Sequence, residues 1–144
     1  MRIRIDTADA RPIWSQLEDQ FRLLIGSGAL APGSAVPSVR DLARELVVNP
    51  ATISKAYRSL TASGLLEVRR GQGTFVAADA LQMGDAERGR ELAQAAGRYA
   101  VTAKSLQVPL ERAEQELQSS WNGLDAAPSA DAARETKGEG DDDE

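Results

Sequence analysis

Three short segments of the chain concentrate side chains that donate hydrogen bonds to anionic oxygens and to planar polar groups. The first contains Ser38 and Arg40, the second covers residues 49–58, and the third is the Arg-Arg-Gly-Gln run at residues 69–72. Guanidinium, ammonium, amide and hydroxyl groups bind phosphate oxygens and the polar edges of bases without breaking covalent bonds. These residue types therefore favour non-covalent recognition over catalysis.

The composition argues against the common catalytic and metal-binding chemistries. The chain has 144 residues with no Cys and no His. Nucleophile–base pairs built on thiolate or imidazole are therefore excluded, as are the usual Zn and Cu ligand sets. The carboxylates are scattered, without a convincing pair for acid–base catalysis. We expect that the protein is not an enzyme, and we expect no cofactor and no metal site.

The net charge of −5 is unevenly distributed along the chain. Residues 125–144 hold eight acids and two bases, whereas residues 1–78 hold ten bases and seven acids. The acidic balance therefore describes the end of the chain and not its first half. The N-terminus has no signal-peptide pattern, and no apolar run approaches the length of about 18 residues that spans a membrane. We expect a soluble, cytoplasmic protein without a membrane partner.

Apolar periodicity and capping residues predict two helices in the first third of the chain. The first helix is predicted from Pro12 to about Gly26, because apolar residues at three- and four-residue spacing form one face: Trp14, Leu17, Phe21, Leu24 and Ile25. Ser38, with Asp41 three residues later, is typical of a helix N-cap with a capping-box pattern. A short second helix is therefore expected directly after Ser38.

The next segment predicts a third helix and a β-hairpin. Asn49 followed by Pro50 is a favourable start for a helix, because Asn caps well and Pro needs no partner for a backbone N–H. The buried face of this helix is expected to consist of Ile53, Tyr57 and Leu60. Gly64 is a plausible C-terminal stop. Residues 65–69 and 74–77 are expected to be strands joined by a glycine-containing tip.

Three helices followed by a hairpin are typical of a winged helix-turn-helix, a fold that binds duplex DNA. We therefore predict a mainly α protein with a small β-hairpin, with this DNA-binding domain at residues 1–78. Two amphipathic helices, expected at residues 81–106 and 109–123, would form a helical dimerisation region at residues 79–124. Residues 125–144 are predicted to be a disordered acidic tail, because they have few apolar side chains.

Several sequence motifs, in consistent order, resemble the GntR family of bacterial transcription regulators. They are LAPG at residues 30–33, VPSVRDLA at 36–43, VNPATISKAYR at 48–58, GL at 64–65 and GQGTFV at 71–76. The resemblance covers roughly residues 10–78. The Asn-Pro before the third helix and the short C-terminal helices are similar to the YtrA-like subfamily. The resemblance implies a dimeric repressor that binds double-stranded DNA at an inverted-repeat operator, in some cases of a transporter operon.

The third helix is expected to lie in the major groove with its N-terminal turn nearest the bases. Asn49, Ala51, Ser54 and Lys55 would then face base edges. By resemblance, Arg40 reaches a guanine edge or a nearby phosphate.

The remaining expected contacts are with the DNA backbone and the minor groove. Ser38, Thr52 and Arg58 are better placed for phosphates. The hairpin, or wing, would reach the minor groove through its tip, with the contacting residues Arg69, Arg70, Gly71 and Gln72.

Most of these residues could instead have a purely structural role. Ser38 and Asn49 are helix caps whatever else they do, and Arg40 could pair with Asp41 or Glu45. The protein as a whole could be a winged-helix protein-interaction module without specific DNA binding.

The segments after the wing also allow more than one interpretation. The C-terminal helices carry an apolar stripe formed by Leu92, Tyr99, Leu110, Leu117 and Trp121. This stripe is expected to be core or homodimer interface, with a pocket for a small-molecule effector as the alternative. The acidic tail is either a solubilising segment or a competitor of DNA for the basic side chains.

Overall fold

The computed structural model describes residues 1–125. The described elements are α1 (Ile13–Gly26), α2 (Val39–Leu46), α3 (Pro50–Ala62), β1 (Leu66–Arg69), β2 (Gly73–Val76), α4 (Asp85–Ser105) and α5 (Leu110–Asp125). The chain divides into an N-terminal unit, Met1–Met83, and a C-terminal unit that begins at Gly84. The predicted fold class, mainly helical with a two-stranded hairpin, is confirmed. The tail predicted to be disordered is residues 125–144, and all of these except Asp125 lie outside the described part of the chain.

Helix α1 begins one residue later than predicted. Pro12 is its N-cap, with a carbonyl that accepts hydrogen bonds from the backbone N–H groups of Ser15 and Gln16. The helix ends at Gly26, as predicted, and Gly28 then adopts φ 79°. On its apolar face, Leu17, Phe21 and Ile25 are fully buried in the core of the N-terminal unit, and Trp14 and Leu24 are partly buried.

The turn between α2 and α3 is defined by caps at both of its ends. The Ser38 hydroxyl accepts the Asp41 backbone N–H at 3.1 Å, which confirms the predicted N-cap of α2. Asn49 Oδ1 accepts the Ala51 backbone N–H at 2.8 Å, which confirms the N-cap of α3. Between them Val47 ends α2 in the left-handed region, with φ 56°. That conformation is uncommon for a β-branched residue.

The wing, which consists of β1, β2 and their connecting turn, is an antiparallel hairpin with Leu66 opposite Val76 and Arg69 opposite Gly73. Both strands begin and end within one residue of the prediction. The sequence did not reveal that residues 33–36 pair with the other edge of β2. Gly33 N–H donates to the Val76 carbonyl at 2.8 Å, and Val76 N–H donates to the Ser34 carbonyl at 2.8 Å. This additional pairing, centred on a bridge between Ala35 and Phe75, stabilises a hairpin that would be marginal alone.

Helix α3 is held on the core by aromatic and polar contacts. The rings of Phe21 and Tyr57 meet edge to face, with centroids 5.4 Å apart. The Tyr57 hydroxyl donates to the Pro37 carbonyl at 2.8 Å, and burial raises the pKa of this phenol above its usual value. The Ser59 hydroxyl donates to Glu18 of α1 at 2.9 Å. Helix α3 is therefore fixed to α1 and to the segment that precedes α2.

In the C-terminal unit, α4 begins at Asp85 and not near residue 81 as predicted. Gly84 is the N-cap, and acidic residues in the first turn interact favourably with the helix dipole. Helix α5 continues to Asp125, two residues beyond the predicted end. The Tyr99 hydroxyl donates to the Ala113 carbonyl at 2.7 Å, which joins the two helices. Among residues 1–125, no helix is long and apolar enough to cross a membrane.

Candidate nucleic-acid interface

Helix α3 has one buried face and one open face. The buried positions are Ile53, Ala56, Tyr57 and Leu60. The open positions recur at the complementary helical spacing, with Ala51, Lys55 and Arg58 exposed and Thr52 and Ser54 half-buried. All five of these residues are predicted DNA contacts, and α3 leaves each side chain at least partly accessible. What they contact stays a prediction.

The two capping residues differ in what they leave available. Ser38 accepts from the Asp41 backbone and also donates its hydroxyl proton to the Asp41 carboxylate at 2.6 Å, so its hydrogen-bonding capacity is largely used. Asn49 uses Oδ1 to cap α3 and keeps its amide NH₂ as a donor. Both residues are exposed. Asn49 is therefore better suited than Ser38 to read a base edge.

Arg40, at the second position of α2, is exposed. Within residues 1–125, its guanidinium takes part in no ion pair or side-chain hydrogen bond. The neighbouring Asp41 is instead engaged with Ser38 and with Arg44, whose Nη1 atom lies 3.6 Å from the carboxylate. The alternative in which Arg40 pairs with Asp41 or Glu45 is therefore not what the structure shows.

The two basic residues of α3 are held differently. The Lys55 Nζ atom lies 4.3 Å from the centroid of the Trp14 ring, in a cation–π contact. Within the described residues, Arg58 makes only a long hydrogen bond, 3.4 Å from Nε to the Ser54 carbonyl. Lys55 thus has a defined position, and Arg58 is held weakly.

The two wing arginines are not equivalent. Arg69 bonds the Glu67 carboxylate at 2.6 Å, and its guanidinium lies 4.1 Å from the centre of the Phe75 ring. Arg70 is exposed in the turn and has no ion pair within the described residues. Gly71 has φ 73° at the third position of this turn, where a type II turn requires a positive φ. Among the described residues, the positive charge of Arg70 is therefore not offset by a neighbouring carboxylate, unlike that of Arg69.

The fold brings the predicted contact segments into one unit. Helices α2 and α3 are consecutive and joined by the turn at Val47. The wing is bonded to the chain just before α2, because Val36 N–H donates to the Thr74 carbonyl at 3.0 Å. Gly71 and Gln72 are exposed at the wing tip. The sequence analysis did not identify Glu67 as the partner of Arg69. Residues two apart on a strand lie on the same face of the sheet, so the ion pair between them could have been predicted.

Comparison with known proteins agrees with this geometry. Residues 14–76 match the family described as "Bacterial regulatory proteins, gntR family". The chain is 41% identical over 78 residues to the HTH-type transcriptional repressor YtrA of Bacillus subtilis. The aligned segment covers 54% of this chain and 60% of that protein. The structure of YtrA from Sulfolobus acidocaldarius, a GntR-family transcription factor, is 32% identical, with a TM-score of 0.56, and the match covers 69% of this chain and 97% of that one.

A transcriptional antiterminator from Listeria monocytogenes shares the fold, with a TM-score of 0.70 at 23% identity over 86% of this chain and 92% of that one. The chain belongs to the GntR family of bacterial regulators, and its similarity to the YtrA proteins supports the YtrA-like subfamily. It spans about 60% of the length of the Bacillus protein. The two YtrA proteins are named as transcription regulators, in agreement with the expectation that this chain is not an enzyme.

Proposed function

We propose that the protein is a sequence-specific DNA-binding transcription regulator that acts as a dimeric repressor at an inverted-repeat operator. The observation that carries the proposal is the open face of α3, which presents small polar side chains and Lys55. The preceding helix adds Arg40, which has no ion pair within the described residues 1–125. Such a face fits the major groove of B-DNA. The family resemblance adds the operator of a transporter operon as a target.

Within this proposal, the contact residues have separate roles. Asn49, Ser54 and Lys55 read base edges, and Ala51 contacts a thymine methyl group. Arg40 pairs with a guanine through its two parallel N–H donors.

The other predicted contacts position the protein on the duplex. Thr52 and Arg58 bind phosphates, and Arg70 at the wing tip enters the minor groove. Arg69 contributes mainly by shaping the wing, because Glu67 offsets its charge. Ser38 contributes mainly as a cap.

The C-terminal helices are proposed to form the homodimer interface. Leu92, Leu110 and Trp121 are 71%, 71% and 65% exposed, although large apolar side chains in helices usually find a partner. We assign DNA binding to residues 1–78 and dimerisation to residues 79–124. A small-molecule effector bound at this stripe is the alternative use, and the cytoplasm is the proposed location.

The test is a salt titration of DNA binding, measured by fluorescence anisotropy on a duplex recovered by selection. If the dimer contacts about 6–10 phosphates, its affinity falls by about 10³–10⁵ between about 50 and 200 mM salt. Arg40→Ala is expected to cost about 1–3 kcal/mol and to relax preference at one base step. Arg22→Ala, which removes the same charge from an ion pair of α1 outside the predicted contact residues, is the matched control.

A protein-interaction module is the second candidate function. It predicts an affinity for DNA that is weak and similar for all sequences. An Arg40→Ala variant with unchanged affinity and unchanged preference would contradict the role given to Arg40. The lack of sequence preference in the wild-type protein would contradict the proposed function itself.

A further inference from the structure

Trp14, in the first turn of α1, lies against one of the predicted DNA-contact residues. The Lys55 ammonium is 4.3 Å from the centroid of its ring. Trp14 is half-buried and packs against the hydrophobic core, whereas Lys55 is exposed. The Trp14 ring is therefore held in place by the core, and its contact with Lys55 restricts the position of the lysine side chain.

The position of the ring does not depend on Lys55. One helical turn further along both helices, Glu18 of α1 accepts the Ser59 hydroxyl of α3 at 2.9 Å. The rings of Phe21 and Tyr57 add an edge-to-face contact between the same helices. These contacts fix how α1 lies along α3. Trp14 is thereby placed beside the half of α3 that is expected to meet DNA.

A ring differs from a carboxylate as a partner for this lysine. Lys55 has no ion pair within residues 1–125, and the nearby Glu18 is engaged with Arg22 at 2.7 Å and with Ser59. A carboxylate would offset the positive charge, as Glu67 does for Arg69. An aromatic face attracts the ammonium but carries no net charge, so the full positive charge remains available to a polyanion.

We propose that Trp14 is a positioning residue for DNA recognition, which orders the Lys55 side chain over the open face of α3 before DNA arrives. The inference rests on the proposed DNA-binding function. A lysine side chain has many rotamers, and ordering it on association lowers affinity. The contact with Trp14 removes part of that entropic cost in the free protein. Trp14 itself touches no DNA in this account.

The contact can be tested first without DNA, by nuclear magnetic resonance of the free protein. Protons above the face of an indole ring are shifted upfield, so the ε-methylene protons of Lys55 are expected upfield of those of the other lysine residues. The shift is lost in Trp14→Leu and partly kept in Trp14→Phe. Unshifted Lys55 protons in the wild-type protein would overturn the proposal.

The consequence for recognition is tested by a double-mutant cycle on the selected duplex. Trp14→Leu is expected to lower affinity by about 3–10-fold for each bound subunit, the equivalent of ordering one long side chain in each. In a Lys55→Met background the same change should have no further effect, because there is no ammonium left to position. Trp14→Phe retains a ring and should restore most of the affinity.

Equal losses from Trp14→Leu in both backgrounds would overturn the inference, as would a gain in affinity. The cycle compares variants with the same change in the core, so a loss of stability common to both cancels. Binding by the wild-type protein separates the two claims. If the wild-type protein binds no DNA, both the proposed function and this inference are contradicted. If it binds DNA but the Trp14 and Lys55 substitutions act independently, only the role of Trp14 is contradicted.

Discussion

Val47 offers a direct test of how the turn before α3 is built. Its φ of 56° is left-handed, and its side chain is 89% exposed, so little burial compensates for the conformation. The left-handed region costs an L-residue roughly 1–2 kcal/mol, whereas glycine adopts it freely but loses about 0.5–1 kcal/mol more in chain entropy. Val47→Gly should therefore raise the free energy of unfolding by about 0.5–1 kcal/mol.

The assay is chemical denaturation with guanidinium, followed by a thermal scan. A gain of this size should raise Tm by roughly 2–8 °C for a unit of this size. Gly64→Ala is the matched control, because Gly64 has φ 76° and an added Cβ would meet no atom within 4 Å. Its expected loss of about 1 kcal/mol is therefore purely conformational. If Val47→Gly were destabilising while Gly64→Ala behaved as expected, the strain attributed to Val47 would be refuted.

Three further predictions concern the wing, the core and the C-terminal helices. Arg70→Ala should lower the salt-dependence exponent by about 0.9 per subunit, or about 1.8 for a bound dimer, while Arg69→Ala should change it less, as measured by anisotropy at several salt concentrations. Tyr57→Phe should lower the free energy of unfolding by about 0.5–1.5 kcal/mol, measured by denaturation, because the Pro37 carbonyl loses its donor. Trp121→Glu should shift a dimer towards monomer in analytical ultracentrifugation, because it places a charge on the apolar stripe of α5. An unchanged exponent for Arg70→Ala, an unchanged stability for Tyr57→Phe, or an unchanged mass for Trp121→Glu would contradict the respective argument.

The helices of the N-terminal unit were predictable because local signals agree with the tertiary structure. Ser38 and Asn49 cap the helices that they were expected to cap, and the apolar spacing of α1 and α3 gives their buried faces. Gly64 follows α3 with φ 76°, as a C-terminal stop requires. Each of these features depends on residues close in sequence, so local sequence patterns are sufficient to predict it.

The features that sequence reasoning missed depend on contacts between distant residues. Nothing near Ala35 reveals that it pairs with Phe75 of β2, because the partner is forty residues away. The apolar spacing places Trp14 only on the apolar face of α1, and its contact with Lys55 follows from how two helices pack. The start of α4 was also misjudged, because apolar periodicity outweighed the capping signal at Gly84.

The central claim is that the face built from α2, α3 and the wing recognises a particular DNA sequence. The most direct measurement is selection of binding sites from random duplex DNA by the full-length protein at about 150 mM salt, near physiological ionic strength. The account predicts enrichment of an inverted repeat with half-sites about one helical turn apart. Recovery of DNA without any enriched sequence would contradict it.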